Sequence, residues 1–214
     1  MEQEVYVKIK KLADQYAEEL KKQVSNRMEE MKQDDNAHYL LYRVLGVTEA
    51  EGQQIDVYQN KGRFLYKYAG AFLEEAAVIC IQHRCPDAGK IKIPNTIGIR
   101  PRMFEIDCLM GNVAHEIKWR DATTDGDHIT KEHTRVKAIQ EQGYTPVRVM
   151  FYYPQRAQAR KIQETLETLY HGVGGEYYCG DAAWNYIHDL TGIDLLEILE
   201  KIADSRNGTY EAIQ

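Results

Sequence analysis

Two carboxylates and an amine stand at a spacing that suits phosphate chemistry. They lie in Phe104-Glu-Ile-Asp-Cys-Leu-Met110 and Val113-Ala-His-Glu-Ile-Lys-Trp-Arg120, two β-type runs separated by Gly111-Asn112. A Gly-Asn step between alternating runs predicts a tight hairpin. Side chains alternate faces along a strand. Phe104, Ile106 and Cys108 are therefore expected on one face of the first strand, with Glu105, Asp107 and Leu109 on the other. In the second strand Val113, His115, Ile117 and Trp119 share one face, and Ala114, Glu116, Lys118 and Arg120 the opposite one. Pairing through the turn then brings Asp107, Glu116 and Lys118 to one side of a sheet. Two carboxylates that close repel, and one would take up a proton unless a cation sits between them. Oxygen-only ligands favour a hard ion, Mg²⁺ or Mn²⁺, over zinc. A lysine alongside can orient or deprotonate water, or balance charge building on a phosphate. That combination fits phosphodiester hydrolysis. The same residue types also make an ordinary solvated face, with Lys118 pairing Glu116. The apolar opposite faces, the tight turn and the flanking basic residues weigh against that simpler reading.

Asp107, eight residues, then Glu116-Ile-Lys118 resembles the signature of the PD-(D/E)xK nuclease superfamily, with Ile106 where a proline often stands. Upstream, Gly70-Ala-Phe-Leu-Glu74-Glu75 resembles the G-x-x-x-E helix that precedes the core in these nucleases. The resemblance implies that Glu74 is a further catalytic carboxylate, Glu75 being the alternative one residue on. It covers roughly residues 62–152. In size and layout the chain is similar to type II restriction endonucleases, nearest to ApaLI-like ones. The family likeness implies a restriction-endonuclease-like core, Mg²⁺ as cofactor with Mn²⁺ able to substitute, and double-stranded DNA as partner. It further implies a homodimer cutting a short palindrome, one active site per strand.

DNA would be read near those strands. The stretch Trp119–Arg135 holds few large apolar residues after its tryptophan and many donors and acceptors. Arg120, Thr123, Thr124 and Asp125 are candidates for base edges, Lys131 and Arg135 for phosphates, and His128 for an orienting or phosphate contact. The plainer reading of residues 121–127 is a loop with a helix cap. Asn95–Arg102 forms a second candidate clamp through Arg100 and Arg102. Lys90 and Lys92 beside Arg84, and Lys137 with Arg148, extend the basic sets, each of which taken singly reads as a solvated face.

The elements that must hold this centre follow from periodicity. Apolar residues at Val5, Ile9, Leu12, Tyr16, Leu20, Val24 and Met28 predict one helix over 2–33. A second is expected over 34–45, and Thr48-Glu-Ala-Glu51 is a capping box opening a third. Residues 62–83 read as a long, largely buried helix. Strands are expected over 91–93, 103–110, 113–120 and 146–152, and helices over 130–142, 155–171, 181–191 and 194–204. This order suits an α/β fold, a mixed central sheet flanked by helices, with an N-terminal helical segment. The expected division is a helical region over 1–61, a catalytic core over 62–171 and a C-terminal helical region over 172–214. The helices at 2–33 and 181–204 are the expected dimer elements. Core packing is the expected role of Tyr152-Tyr153 and Tyr177-Tyr178.

Composition sets the remaining bounds. The 214 residues suffice for a real core, and the net charge of −6 does not preclude a locally basic groove. No run of about 18 apolar residues suggests a membrane span, and the N-terminus lacks a signal-peptide pattern. Cys80, Cys85, Cys108 and Cys179 form no CxxC pair and no zinc spacing with the histidines, so a cytoplasmic protein with reduced thiols is expected. Two other functions fit the same residues: a structure-selective repair or recombination nuclease resembling a junction resolvase, and a non-catalytic α/β binding protein whose Asp, Glu and Lys are surface pairs.

Overall fold

The structure, a computed structural model, describes residues 2–120 and 126–210; for 126–128 and 207–210 it describes only the backbone. The chain forms two compact units, Met1–Lys10 with Leu73–Gln214, and Lys11–Phe72. Two long helices, α1 (Glu2–Gln33) and α3 (Glu49–Arg84), run through both units, while the C-terminal helices belong with the sheet.

The larger unit is built on a five-stranded mixed sheet in the order β1-β2-β3-β4-β5: β1 (Gly89–Pro94), β2 (Met103–Met110), β3 (Val113–Arg120), β4 (Thr145–Tyr152) and β5 (Glu176–Cys179). The β1–β2 and β2–β3 pairs are antiparallel, and β3–β4 and β4–β5 are parallel. Parallel neighbours need a crossover, which α4 (Gly126–Glu141) and α5 (Ala157–Gly172) supply. Met110 faces Val113 across the hairpin, and Gly111 takes the positive φ of 60° that this two-residue turn requires. The α4 residues Ala138 and Ile139 pack with Ile93, Phe104, Ile106 and Ala114. Val136 of the same helix packs with Met150, Ile162, Leu166, Tyr170 and Tyr177. Two further helices, α6 (Asp181–Thr191) and α7 (Leu195–Tyr210), complete the unit. Through α6, Trp184 meets Phe151 with ring centroids 4.3 Å apart, and Tyr186 bonds His115 at 2.8 Å.

The expected alternation along β2 does not hold throughout. Gly89 lies opposite Leu109 but Ile91 opposite Ile106, so two steps along β1 meet three along β2. This bulge-like shift changes the parity of the strand. Ile106 and Leu109 consequently serve the same core cluster instead of opposite faces. The extra residue falls at Asp107 and Cys108, where the catalytic aspartate is expected.

In the smaller unit, Arg27 of α1 donates to Asn60 at 3.1 Å, and Tyr16 meets Tyr68 and Phe72 edge to face. The short helix α2 (Tyr39–Val44) lies on α3: Tyr42 donates to Asp56 at 2.8 Å, and a Cβ on Gly52 would collide with the Tyr42 ring. The helix expected over 34–45 is thus confined to its last residues. Thr48 caps α3 as expected, accepting from the Glu51 N–H at 3.3 Å. From there the helix continues without a break to Arg84, since neither Gly52 nor Gly62 is costly enough to end it. Burial along it becomes continuous only near its end, at Leu73, Ala76, Ala77, Cys80 and Ile81, and not over the whole of 62–83. The strand β5 is too short for its periodicity to show in the sequence. No helix among the described residues is long and apolar enough to cross a membrane, and all four cysteines are free.

Candidate active site

The ladder between β2 and β3 runs from Met110–Val113 to Cys108–His115. One step further the strands part. The Asp107 carboxylate takes over the role of a backbone acceptor, receiving the Ile117 N–H at 2.8 Å. This opening, aligned with the register shift toward β1, leaves room for three side chains at one point. Lys118 Nζ lies 3.0 Å from Asp107 Oδ2 and 2.7 Å from Glu116 Oε1, and donates to the Ile117 carbonyl at 3.1 Å. Asp107 and Glu116 are buried, at 7% and 2% exposure. Burial raises the pKa of both carboxyls above the ordinary range, against the pull of Lys118. Burial alone would lower the Lys118 pKa, but Glu116 and Asp107 more than offset it and hold the ammonium charged.

A second layer of charge supports this centre from α4, β4 and α5. Arg135 pairs with Glu116 and lies 3.3 Å from Glu132. Glu132 also accepts from Arg148 at 3.0 Å and from the Tyr170 hydroxyl at 2.6 Å. Burial opposes the Glu132 charge, yet Arg148 and Arg135 hold its pKa down at about 2. Asp107, Glu116 and Glu132 are thereby matched by Lys118, Arg135 and Arg148, so the desolvated charges balance, as buried charges must. Three buried atoms keep no partner among the described residues: Glu116 Oε2, Arg135 Nε and Arg148 Nε.

The remaining sequence-based candidates fall into several groups. Glu74, on α3, bonds Lys90 at 2.9 Å, and Lys90 also meets Glu105 at 3.1 Å. Glu74 lies close enough to Asp107 for its charge to raise the aspartate's pKa, whereas Glu75 is exposed. Arg100 and Arg102 are exposed on the loop between β1 and β2. Asn95 orders that loop, accepting from the N–H groups of Ile97 and Gly98 at 3.2 and 2.9 Å and donating to the Pro101 carbonyl at 2.8 Å. Lys131 is exposed, and Arg120 places its guanidinium 5.6 Å from the Trp119 ring. Thr123, Thr124 and Asp125 lie outside the described residues, as does the His128 side chain. Arg135 is not turned to solvent with Lys131. It is drawn inward to two carboxylates because a buried Glu116 needs a counter-charge.

Sequence reasoning missed Glu132, Tyr170 and the role of Arg148. The last had a visible signal: an arginine inside Pro146-Val-Arg-Val-Met-Phe can only be buried with a partner. Tyr177 is a core residue as expected, while Tyr178 stacks on Tyr186 with centroids 4.3 Å apart.

The donor set suits a hard cation. Asp107 and Glu116 offer oxygen only, and one buried carboxylate oxygen has no partner. Among the described residues no group of three or more His, Cys, Asp or Glu side chains converges. A two-carboxylate set is still what Mg²⁺ takes when water and phosphate complete its shell.

The class of the chain is that of a restriction endonuclease. The model of the ApaLI-like restriction endonuclease family matches residues 1–204, and the chain belongs to that family. The match extends well beyond residues 62–152, taking in the N-terminal helices as well as the core. No curated protein and no solved structure matches the chain.

Proposed function

We propose that the chain is a type II, Mg²⁺-dependent endodeoxyribonuclease that hydrolyses phosphodiester bonds at a short, specific site in double-stranded DNA. One observation supports this most: Asp107, Glu116 and Lys118 meet at a single buried point, 3.0 and 2.7 Å apart through the lysine. Asp107 and Glu116 would hold Mg²⁺, or Mn²⁺ in its place, which when bound supplies Lewis acidity to the scissile phosphate and makes water a better nucleophile. The Asp107 carboxylate is fixed by the Ile117 N–H, and that of Glu116 by Arg135. Lys118 has three donors on a flexible four-carbon stem; it orients water and meets charge that grows on phosphate oxygens. Glu74 adds negative field at Asp107. Arg100, Arg102, Arg120, Lys131 and the stretch holding Thr123, Thr124, Asp125 and His128 would grip the duplex. Two strands need two such centres, so the enzyme acts as a homodimer, in the cytoplasm where its free thiols stay reduced.

The test is digestion of a plasmid of known sequence with Mg²⁺, followed by mapping of the ends. Discrete fragments with uniform ends are expected, and Asp107→Ala and Lys118→Ala should each lower the rate by at least about 10²-fold. Wild-type protein that never cuts with Mg²⁺ or Mn²⁺ would overturn the proposal. Cutting that both substitutions leave intact would overturn the site.

A further inference from the structure

His115 is a buried imidazole that the proposed chemistry does not use. Val113, Ile117 and Trp119 share its face of β3, and the ring is wholly buried. An apolar side chain would pack there without the cost of desolvating two ring nitrogens. The presence of an imidazole is therefore explained by what it bonds. Nδ1 lies 3.1 Å from the Cys108 carbonyl oxygen, and Nε2 lies 2.8 Å from the Tyr186 hydroxyl. A carbonyl oxygen only accepts, so Nδ1 carries the proton. Burial lowers the pKa of the ring below the ordinary histidine value, which favours the neutral form. Nε2 then accepts from the Tyr186 hydroxyl. Tyr186 is itself held: its ring stacks on Tyr178 with centroids 4.3 Å apart, and Tyr178 donates to Glu176 at 2.7 Å. A line of side chains thus runs from β5 and α6 to one carbonyl on β2.

That carbonyl stands at a sensitive place. Cys108–His115 is the last rung of the β2–β3 ladder before the strands part, and Cys108 lies in the stretch where β2 carries its extra residue against β1. A bulge disrupts the ladder and re-aims side chains. One residue back along β2 is Asp107, whose carboxylate receives the Ile117 N–H in place of a backbone acceptor. We propose that His115, oriented by Tyr186, is a positioning residue for Asp107: its Nδ1–H pins the peptide after the bulge and so fixes the direction in which the carboxylate leaves β2. Lys118 reaches the carboxylate from one face of β3, and His115 holds the backbone beside it from the other. Outer hydrogen bonds of this kind keep a ligand pointed at its cation, and losing one costs about 10–100-fold in metal affinity or activity. The inference rests on Asp107 being a cation ligand, as proposed above.

Titration of the full chain with Mn²⁺ alone, without DNA, tests the inference. The electron paramagnetic resonance signal of the free ion gives the affinity at one temperature, so a variant that is less stable but still folded reads as wild type. His115→Leu should weaken Mn²⁺ binding about 10–100-fold. His115→Asn should restore most of that loss, since its amide N–H stands where Nδ1–H stood and donates to the Cys108 carbonyl. Tyr186→Phe should fall between them, because the ring keeps its donor but loses the hydroxyl that turns it. Ile202→Ala, a core truncation in α7 of the same unit, should bind as the wild type does. Equal affinity in His115→Leu and the wild type overturns the inference. So does an equal loss in His115→Asn, which would make the bulk of the ring the cause, or an equal loss in Ile202→Ala. Should His115→Leu fail to fold, Tyr186→Phe decides: a clear loss supports the inference and unchanged affinity overturns it. Cleavage assays separate this from the nuclease reading. If the wild type cuts with Mg²⁺ while His115→Leu binds Mn²⁺ undiminished, the nuclease reading stands and the inference falls. If the variants rank as expected but the wild type never cuts, the inference stands and the nuclease reading falls. A wild type that takes up no Mn²⁺ overturns the inference, and if it also never cuts, both fall.

Discussion

At the residue scale the centre is held by charge balance in a place with little water. Glu132 is its least obvious member: it bonds Arg148, Tyr170 and Arg135 and touches neither Asp107 nor Lys118. Glu132→Gln leaves Arg148 charged and wholly buried without its counter-ion, which should lower stability by about 3–5 kcal/mol in urea unfolding. Replacing the set together, Glu132→Leu with Arg148→Met, should recover most of that loss, since apolar groups of similar volume tolerate the interior. If the single and double variants unfold alike, the pair is not the source of the cost. The same residue sets a pH dependence. Its carboxyl is held at about 2, below its ordinary 4.5. A depressed carboxyl stabilises the fold fully above its unfolded pKa, and the contribution is lost as pH falls through the folded value. Wild-type stability should therefore decline between about pH 4.5 and pH 2, and more steeply than that of Glu132→Gln.

The Arg148 and Arg135 pairs also show why part of the site was hidden. Asp107, Glu116 and Lys118 could be read because a hairpin fixes their relation locally, through Gly111 and a period of two. Glu132, Arg148 and Tyr170 meet only after two crossovers place α4 and α5 beside β4, and no local spacing encodes that meeting.

At the scale of elements, the strand pair and the helices α4 to α7 were legible because long, strongly patterned segments announce themselves. Three features were not. The β5 strand has four residues, too few for a period. The register shift in β2 is set by pairing with β1, not by β2 itself. The continuity of α3 through Gly52 and Gly62 was hidden because a glycine weakens a helix by only about 1 kcal/mol, too little to mark an end. The loop between β1 and β2 has a consequence of its own. Asn95 holds its backbone by three hydrogen bonds while Arg100 and Arg102 project from it. If the loop clamps DNA, Arg100→Ala and Arg102→Ala should each weaken binding across all sequences. Each should reduce the slope of log affinity against log salt by about 1. Asn95→Ala should weaken binding by loosening the loop while leaving that slope unchanged. A titration by fluorescence anisotropy at several salt concentrations separates these outcomes. Unchanged slopes for both arginine variants would remove the loop from the interface.

At the scale of the whole molecule, an acidic chain of net charge −6 has to hold a polyanion. On the proposed reading it would do so by local potential, and two of its buried carboxylates would work against DNA until a cation neutralises them. Two measurable results follow from that opposition. First, Asp107→Asn and Glu116→Gln should abolish cleavage yet keep or strengthen binding to DNA in the absence of metal, because each removes a negative charge facing phosphate. A large loss of affinity in either would place the carboxylates elsewhere than beside the scissile bond. Second, a cation that binds the folded site must stabilise the fold by mass action, by about 2.7 kcal/mol at a concentration 100 times its dissociation constant. Mg²⁺ or Mn²⁺ should then raise the thermal midpoint of the wild type, and that rise should shrink in both variants. The effect needs no turnover, so it reads the metal site independently of cleavage. Lys118→Ala sharpens the distinction. Its ammonium stands where a cation would compete with it, 3.0 and 2.7 Å from the two carboxylates. Its removal should end cleavage while leaving the metal-induced rise at least as large as in the wild type. A rise lost in Lys118→Ala but kept in Asp107→Asn would reverse the roles assigned to the two residues.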